Sequence, residues 1–83
     1  MERRDDDILD LVGLNCPLPA LKTRRALERS VPGDRLVVRA SDPMAALDIP
    51  HLVATDGHVL VDRRRDGEVL IFVIERGPGR PPE

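Results

Sequence analysis

The 83-residue sequence has a single cysteine, Cys16, a single aromatic residue, Phe72, and neither tryptophan nor tyrosine. One cysteine excludes a disulfide within the chain. The shortage of aromatic rings removes the stacking platforms on which single-strand binders and RNA-recognition sheets depend. The net charge is −2, and residues 8–76 carry equal numbers of acidic and basic side chains, so the basic excess of a general nucleic-acid binder is missing. We therefore expect no direct nucleic-acid binding.

Long apolar runs are missing too. The longest, residues 69–74, is far shorter than the roughly 20 residues that a membrane-spanning helix needs. The charged N-terminus (MERRDDD) lacks the apolar stretch of a secretion signal. These two features predict a cytoplasmic protein that makes no contact with a membrane.

The length predicts one small domain, because single domains usually hold about 100–150 residues. Residues 1–7 are almost all charged, and residues 77–83 (GPGRPPE) are rich in proline and glycine. We predict a charged N-terminal tail, a folded domain over residues 8–76 and a flexible C-terminal tail. A domain of this size leaves no room for a large cofactor pocket, so we expect no cofactor and a functional site on the surface or at the end of a helix or strand.

Apolar periodicity and turn residues predict the order βαβαββ. Strands are expected at residues 8–12, 36–40, 58–62 and 68–75, with a hairpin through Arg65-Asp66-Gly67. A right-handed crossover makes the first two strands parallel. The last strand is apolar on both faces, which suits a central position. The predicted fold is an α/β (α+β) two-layer sandwich, with two helices on one face of a mixed four-stranded sheet.

The two helices are expected at residues 17–30 and 42–56. Asp42 is predicted to be the N-cap of the second helix, with Pro43 at its first helical position. Pro50 is predicted to break this helix into two pieces, with Asp48 or Ile49 capping the second piece. The first helix is expected to bury one stripe of side chains: Ala20, Thr23, Leu27 and Val31.

Cys16 lies at the turn from the first strand into the first helix. We expect it to be the N-cap, with Pro17 and Pro19 as the first and third helical residues. The helix dipole and the free Leu18 amide would then favour the thiolate and lower the pKa of Cys16 below that of a free cysteine. Position alone leaves two alternatives open, a reactive thiol or a small buried core cysteine.

A redox pair of the Cys-x-x-Cys type is excluded, because residue 19 is proline. Any group bound to Cys16 must therefore be removed by another molecule, which suits a carrier. His51 and His58 could be considered as metal ligands together with Cys16, but their spacing matches no standard site, so we expect no metal.

The Cys-Pro-x-Pro element between a first strand and a first helix, with its flanking residues, resembles the signature of the TusA/SirA-like sulfur carriers. The resemblance runs in register through nearly all of residues 8–76. The residues that carry it are Leu9-Asp10, Gly13-Leu14-x-Cys16-Pro17-x-Pro19, Leu21-Lys22, Pro32-Gly33-Asp34, Ser41-Asp42-Pro43, Asp48-Ile49-Pro50 and Gly57-His58.

The resemblance implies a sheet order of 1-2-4-3 and a sulfurtransferase-type carrier that works with partner enzymes. Cys16 would take sulfane sulfur from a cysteine desulfurase or another persulfide donor and pass it to an acceptor protein. In the family this serves tRNA 2-thiolation, molybdenum-cofactor synthesis or sulfur oxidation. Leu18 stands where the tRNA-thiolation members usually carry glutamate, and Val53 where many members have cysteine. Both differences concern the pathway rather than the carrier chemistry.

Gly13, Pro17 and Pro19 would support the site, and Leu21 and Arg24 would meet the donor. Taken by itself, Arg24 is more simply an ordinary solvated helix residue, and the run of residues 63–65 (RRR) is most simply a solvated charge run. The alternative function is a small regulatory or protein-interaction module that has kept the fold without sulfur transfer.

Overall fold

The computed structural model describes residues 6–79, with side chains from residue 8 onward. It contains β1 (Asp6–Leu11), α1 (Leu18–Arg29), β2 (Arg35–Ala40), α2 (Ala45–Thr55), β3 (Val59–Asp66) and β4 (Val69–Glu75). The predicted order βαβαββ is confirmed. Much of the two predicted tails, residues 1–5 and 80–83, lies outside the described residues. The domain limits therefore stay a prediction.

The four strands form one mixed sheet in the order β1-β2-β4-β3. β1 and β2 are parallel, whereas β4 is antiparallel to both of its neighbours, β2 and β3. The predicted fold class and the central position of β4 are both confirmed.

Both helices pack on one face of this sheet. Val38 of β2 pairs with Phe72 of β4, so these two side chains point to the same side, and both are at most 1% exposed. They belong to a single core cluster with Leu27 of α1 and Ile49 of α2. Burying a side chain of this size contributes about 1.5–3 kcal/mol, so the cluster accounts for the layered arrangement.

Helix α2 continues through Pro50, and the predicted break is therefore wrong. A proline inside a helix removes one backbone hydrogen bond and costs about 3 kcal/mol. Ile49, Leu52 and Val53 surround it and are all at most 4% exposed. Breaking the helix would withdraw these three side chains from the core at about 1.5–3 kcal/mol each, so the unbroken helix is favoured.

The beginning of α2 also differs from the prediction. The helix starts at Ala45 with Met44 as its N-cap, and not at Pro43 with Asp42. The Ala45 N–H donates to the Asp42 carbonyl oxygen at 2.9 Å, which closes a separate turn before the helix. The Asp42 carboxylate accepts the Met44 N–H within that turn at 3.2 Å.

Helix α1 follows its predicted course over most of its length. Thr23 and Leu27 are buried as predicted and Ala20 is half-buried, whereas Val31 is exposed because the helix has already ended at Arg29. Pro19, which was not predicted to be part of the buried stripe, is buried.

The hairpin between β3 and β4 is tighter than predicted. Asp66 pairs with Val69, which leaves Gly67 and Glu68 as the loop. Gly67 has a φ of 63°, a conformation that glycine adopts without steric cost. β3 consequently runs further than predicted, to Asp66.

No helix in the described part of the chain is long and apolar enough to cross a membrane.

Candidate functional site

Cys16 lies where the loops after β1 and β2 meet. Because β1 and β2 are parallel neighbours, their carboxyl ends share one edge of the sheet. The Gly13 N–H donates to Ser41 Oγ at 2.9 Å, and the Cys16 N–H donates to the Asp42 carboxylate. These contacts hold the Cys16 loop against the loop that leads into α2. The thiol itself is free and exposed.

Asp48, in the first turn of α2, is in direct contact with the thiol. Its Oδ2 lies 3.6 Å from Cys16 Sγ and accepts the S–H. Desolvation, the Asp48 hydrogen bond, and the negative charges of Asp48 and Asp42 raise the pKa of Cys16 above its ordinary value. The prediction of a lowered pKa is therefore wrong.

The local backbone explains this difference. Pro17, and not Cys16, is the N-cap of α1. The Leu18 N–H donates to the Asn15 carbonyl oxygen at 2.9 Å, so it does not serve the sulfur. Without that amide, no donor among the described residues offsets the desolvation of the thiol and the nearby carboxylates, which raise its pKa.

The predicted supporting residues lie in the same loop and first helical turn. Gly13 has a φ of 93°, which glycine tolerates and larger residues rarely do. The Pro17 carbonyl oxygen accepts the Leu21 N–H at 3.1 Å, and Pro19 is buried beneath the helix start. Whether these residues support sulfur chemistry stays a prediction.

Exposed apolar side chains occupy the first turns of both helices that flank Cys16. We call them the apolar rim: Leu18, Leu21, Met44 and Leu47, which are 43%, 51%, 46% and 67% exposed. Leu21 was predicted from the sequence to meet a partner. Leu47 precedes Asp48, the residue that contacts the sulfur. The rim offers a partner apolar surface close to the thiol.

Arg24, the second predicted partner residue, makes an ion pair within the domain. Its Nε lies 2.7 Å from Asp56 Oδ2, and the Asp56 side chain is only 7% exposed. The expectation of an ordinary solvated arginine is therefore wrong, because this side chain joins α1 to the end of α2. Its role toward a partner stays a prediction.

The ring nitrogens of His58 and His51 contact other groups of the domain. His58 Nδ1 accepts the Gly77 N–H at 3.0 Å, and His51 Nε2 lies 3.5 Å from Thr55 Oγ1. Within the described residues, no group of three or more histidine, cysteine, aspartate or glutamate side chains could hold a metal ion. In the residue 63–65 run, Arg64 pairs with Asp62 at 2.7 Å on the exposed surface.

Sequence reasoning did not identify the two carboxylates as part of the site. Asp42 was assigned to capping and Asp48 to a helix break, although both stand in motifs that carried the resemblance, Ser41-Asp42-Pro43 and Asp48-Ile49-Pro50. Their presence in these motifs was the available signal. Their contact with Cys16 depends on packing between residues 26 and 32 positions apart.

The family described as Sulfurtransferase TusA matches residues 7–76, and the chain belongs to that family. One relative is the protein named "Putative sulfur carrier protein YrkI" of Bacillus subtilis (strain 168). It is 34% identical over 74 residues, a region that covers 89% of this chain and 99% of the relative.

Proposed function

We propose that the protein is a sulfur carrier that accepts sulfane sulfur on Cys16 as a persulfide and passes it to an acceptor protein. The observation that carries the proposal is the position of an exposed thiol, the single cysteine of the sequence, at the junction of two loops in a TusA-family fold. The name of the relative YrkI supports the same role.

The chemistry needs no cofactor and no oxidant. The Cys16 thiolate attacks the outer sulfur of a donor persulfide, and a new S–S bond forms at Cys16. The S–S bond of the donor breaks, and its cysteine leaves with the electron pair and takes up the proton that Cys16 released. The acceptor thiolate then repeats the step on Cys16. Because the sequence has no second cysteine, the loaded Cys16 cannot close a disulfide within the chain.

The donor in this proposal is a cysteine desulfurase or another persulfide-bearing protein. It docks on the apolar rim, with Leu21 as one contact, because its sulfur must come within bonding distance of Sγ. Arg24 can contribute only through the part of its side chain that Asp56 leaves exposed. The acceptor belongs to tRNA 2-thiolation, molybdenum-cofactor synthesis or another sulfur pathway. A cytoplasmic location and the absence of nucleic-acid binding stay predictions.

The raised pKa of Cys16 favours a second candidate function. A protonated thiol is a poor nucleophile, as expected for a regulatory or interaction module of the same fold that transfers no sulfur.

A labelling experiment distinguishes the two functions. The protein is incubated with a cysteine desulfurase and cysteine that carries radiolabelled sulfur, and is then separated without reductant. A carrier retains label that dithiothreitol releases, and Cys16→Ser retains none. A module that transfers no sulfur binds its partner but remains unlabelled. The thermal melting of Cys16→Ser, compared with wild type, verifies that the variant folds.

A further inference from the structure

Asp48 is held against the thiol by the hydrophobic core rather than by a mobile loop. It lies in the first turn of α2 and is half-buried, and the next residue, Ile49, is 0% exposed. The core therefore fixes the helical turn from which the carboxylate reaches Cys16 Sγ at 3.6 Å.

The second carboxylate near the thiol has other partners. Asp42 Oδ2 accepts the Cys16 N–H, and Asp42 Oδ1 accepts the Met44 N–H. Asp42 thus fixes the backbone, and Asp48 is left to accept the thiol proton.

The charged side chains that face the sulfur are both carboxylates. From α2 and the loop before it, Asp48 and Asp42 face the thiol. From α1, the chain offers no charged residue until Lys22, because residues 17–21 are all uncharged. The sulfur therefore lies beside two negative charges with no cation in the adjoining turn of α1.

We propose that Asp48 controls the protonation of Cys16: it keeps the thiol protonated and unreactive in the free protein, until a docked sulfur donor displaces its carboxylate from the sulfur. This proposal rests on the proposed carrier function and identifies what restricts sulfur transfer to docked partners. Asp48 is not the base that drives transfer, since its carboxylate accepts the S–H and favours the protonated thiol over the thiolate.

The test measures the rate of Cys16 alkylation by iodoacetamide against pH, a reaction that needs neither donor nor acceptor. Asp48→Asn keeps the shape of the side chain and removes its charge. A unit charge at about 4 Å changes a pKa by about 0.7 unit at the dielectric of bulk water and by more in a partly solvated site, so a shift of about one unit is a conservative expectation. The variant would then carry about tenfold more thiolate near neutral pH. Because nucleophilicity falls with thiol pKa, with a Brønsted slope of about 0.4–0.5, the net alkylation rate should rise about threefold.

Two controls make the result specific. Glu28→Gln removes one exposed negative charge from the last turn of α1, at the opposite end of that helix from Cys16, and should leave the profile unchanged. Asp48→Glu restores a carboxylate and should return the profile toward wild type. A profile for Asp48→Asn that superimposes on wild type would overturn the proposal, and so would an equal shift in Glu28→Gln.

A second measurement separates this proposal from the proposed function. The rate of Cys16 persulfidation by a desulfurase is divided by the rate of alkylation for each protein. Asp48→Asn should lower this ratio, because undocked reagents gain more from the free thiolate than a docked donor does. An unchanged ratio would contradict the role of docking. If wild type accepts no sulfur at all while the alkylation profile still shifts, the carrier function fails and the control of the thiol by Asp48 stands.

Discussion

Replacing Arg24 with alanine should destabilise the domain more than an ordinary surface substitution does. Arg24 Nε lies 2.7 Å and Nη2 3.4 Å from the two carboxylate oxygens of Asp56, which is the C-cap of α2. The Asp56 side chain is 7% exposed and that of Arg24 is 38% exposed. The truncation would leave a buried carboxylate without its arginine.

The expected loss in the free energy of unfolding of Arg24→Ala lies between two limits. Exposed ion pairs contribute about 0.2–1 kcal/mol, whereas removing one partner of a fully buried pair costs about 3–5 kcal/mol. Because one partner is buried and the other is partly solvated, we expect a loss of about 2 kcal/mol in the free energy of unfolding. For a domain of this size that corresponds to a drop of roughly 8–16 °C in Tm.

Urea denaturation followed by circular dichroism measures this loss. Arg24→Ala, Asp56→Asn and the double variant form a cycle, and Arg25→Ala, at an exposed position on the same helix, is the control. We expect the coupling energy between Arg24 and Asp56 to exceed about 1 kcal/mol. A loss below about 0.5 kcal/mol for Arg24→Ala, or strictly additive effects, would refute this reasoning.

Two further predictions concern stability. Thr23 Oγ1 is buried without a hydrogen-bond partner among the described residues, so Thr23→Val should raise the free energy of unfolding by about 1 kcal/mol; an unchanged or lower urea midpoint would contradict this. Burial, and then the positive charge of Arg76, lower the pKa of His58 below 6.5, so the folded state binds fewer protons than the unfolded state just below that pH. The free energy of unfolding should therefore fall as the pH drops from about 6.5 toward the folded pKa of His58. Thermal melts at several pH values should show this dependence flattened in His58→Gln. The control variant His51→Gln should keep it.

The fold could be predicted from the sequence because its signals are local. Local signals specify each element: the continuous apolar run of β4, the glycine of the hairpin and the turn residues around each helix. Their order then leaves few ways to close a sheet. The central position of β4 followed from a strand that is apolar on both faces.

The features that the sequence did not predict depend on contacts between distant residues. Pro50 is a local signal for a helix break, and the burial of Ile49, Leu52 and Val53 outweighs it. Arg24 and Cys16 each meet a carboxylate 32 residues further along the chain. The local rule about helix starts placed Cys16 at the N-cap, where the structure has Pro17, and it could not show the carboxylate beside the sulfur.

The central claim is that Cys16 carries sulfur as a persulfide, and intact-mass spectrometry tests it most directly. After incubation with a cysteine desulfurase and cysteine, wild type should gain the mass of one sulfur atom, and fragmentation should place that mass on Cys16. Dithiothreitol should remove it, and Cys16→Ser should never gain it. A wild-type mass that stays unchanged with active desulfurases, or an added sulfur that persists in Cys16→Ser, would contradict the assignment.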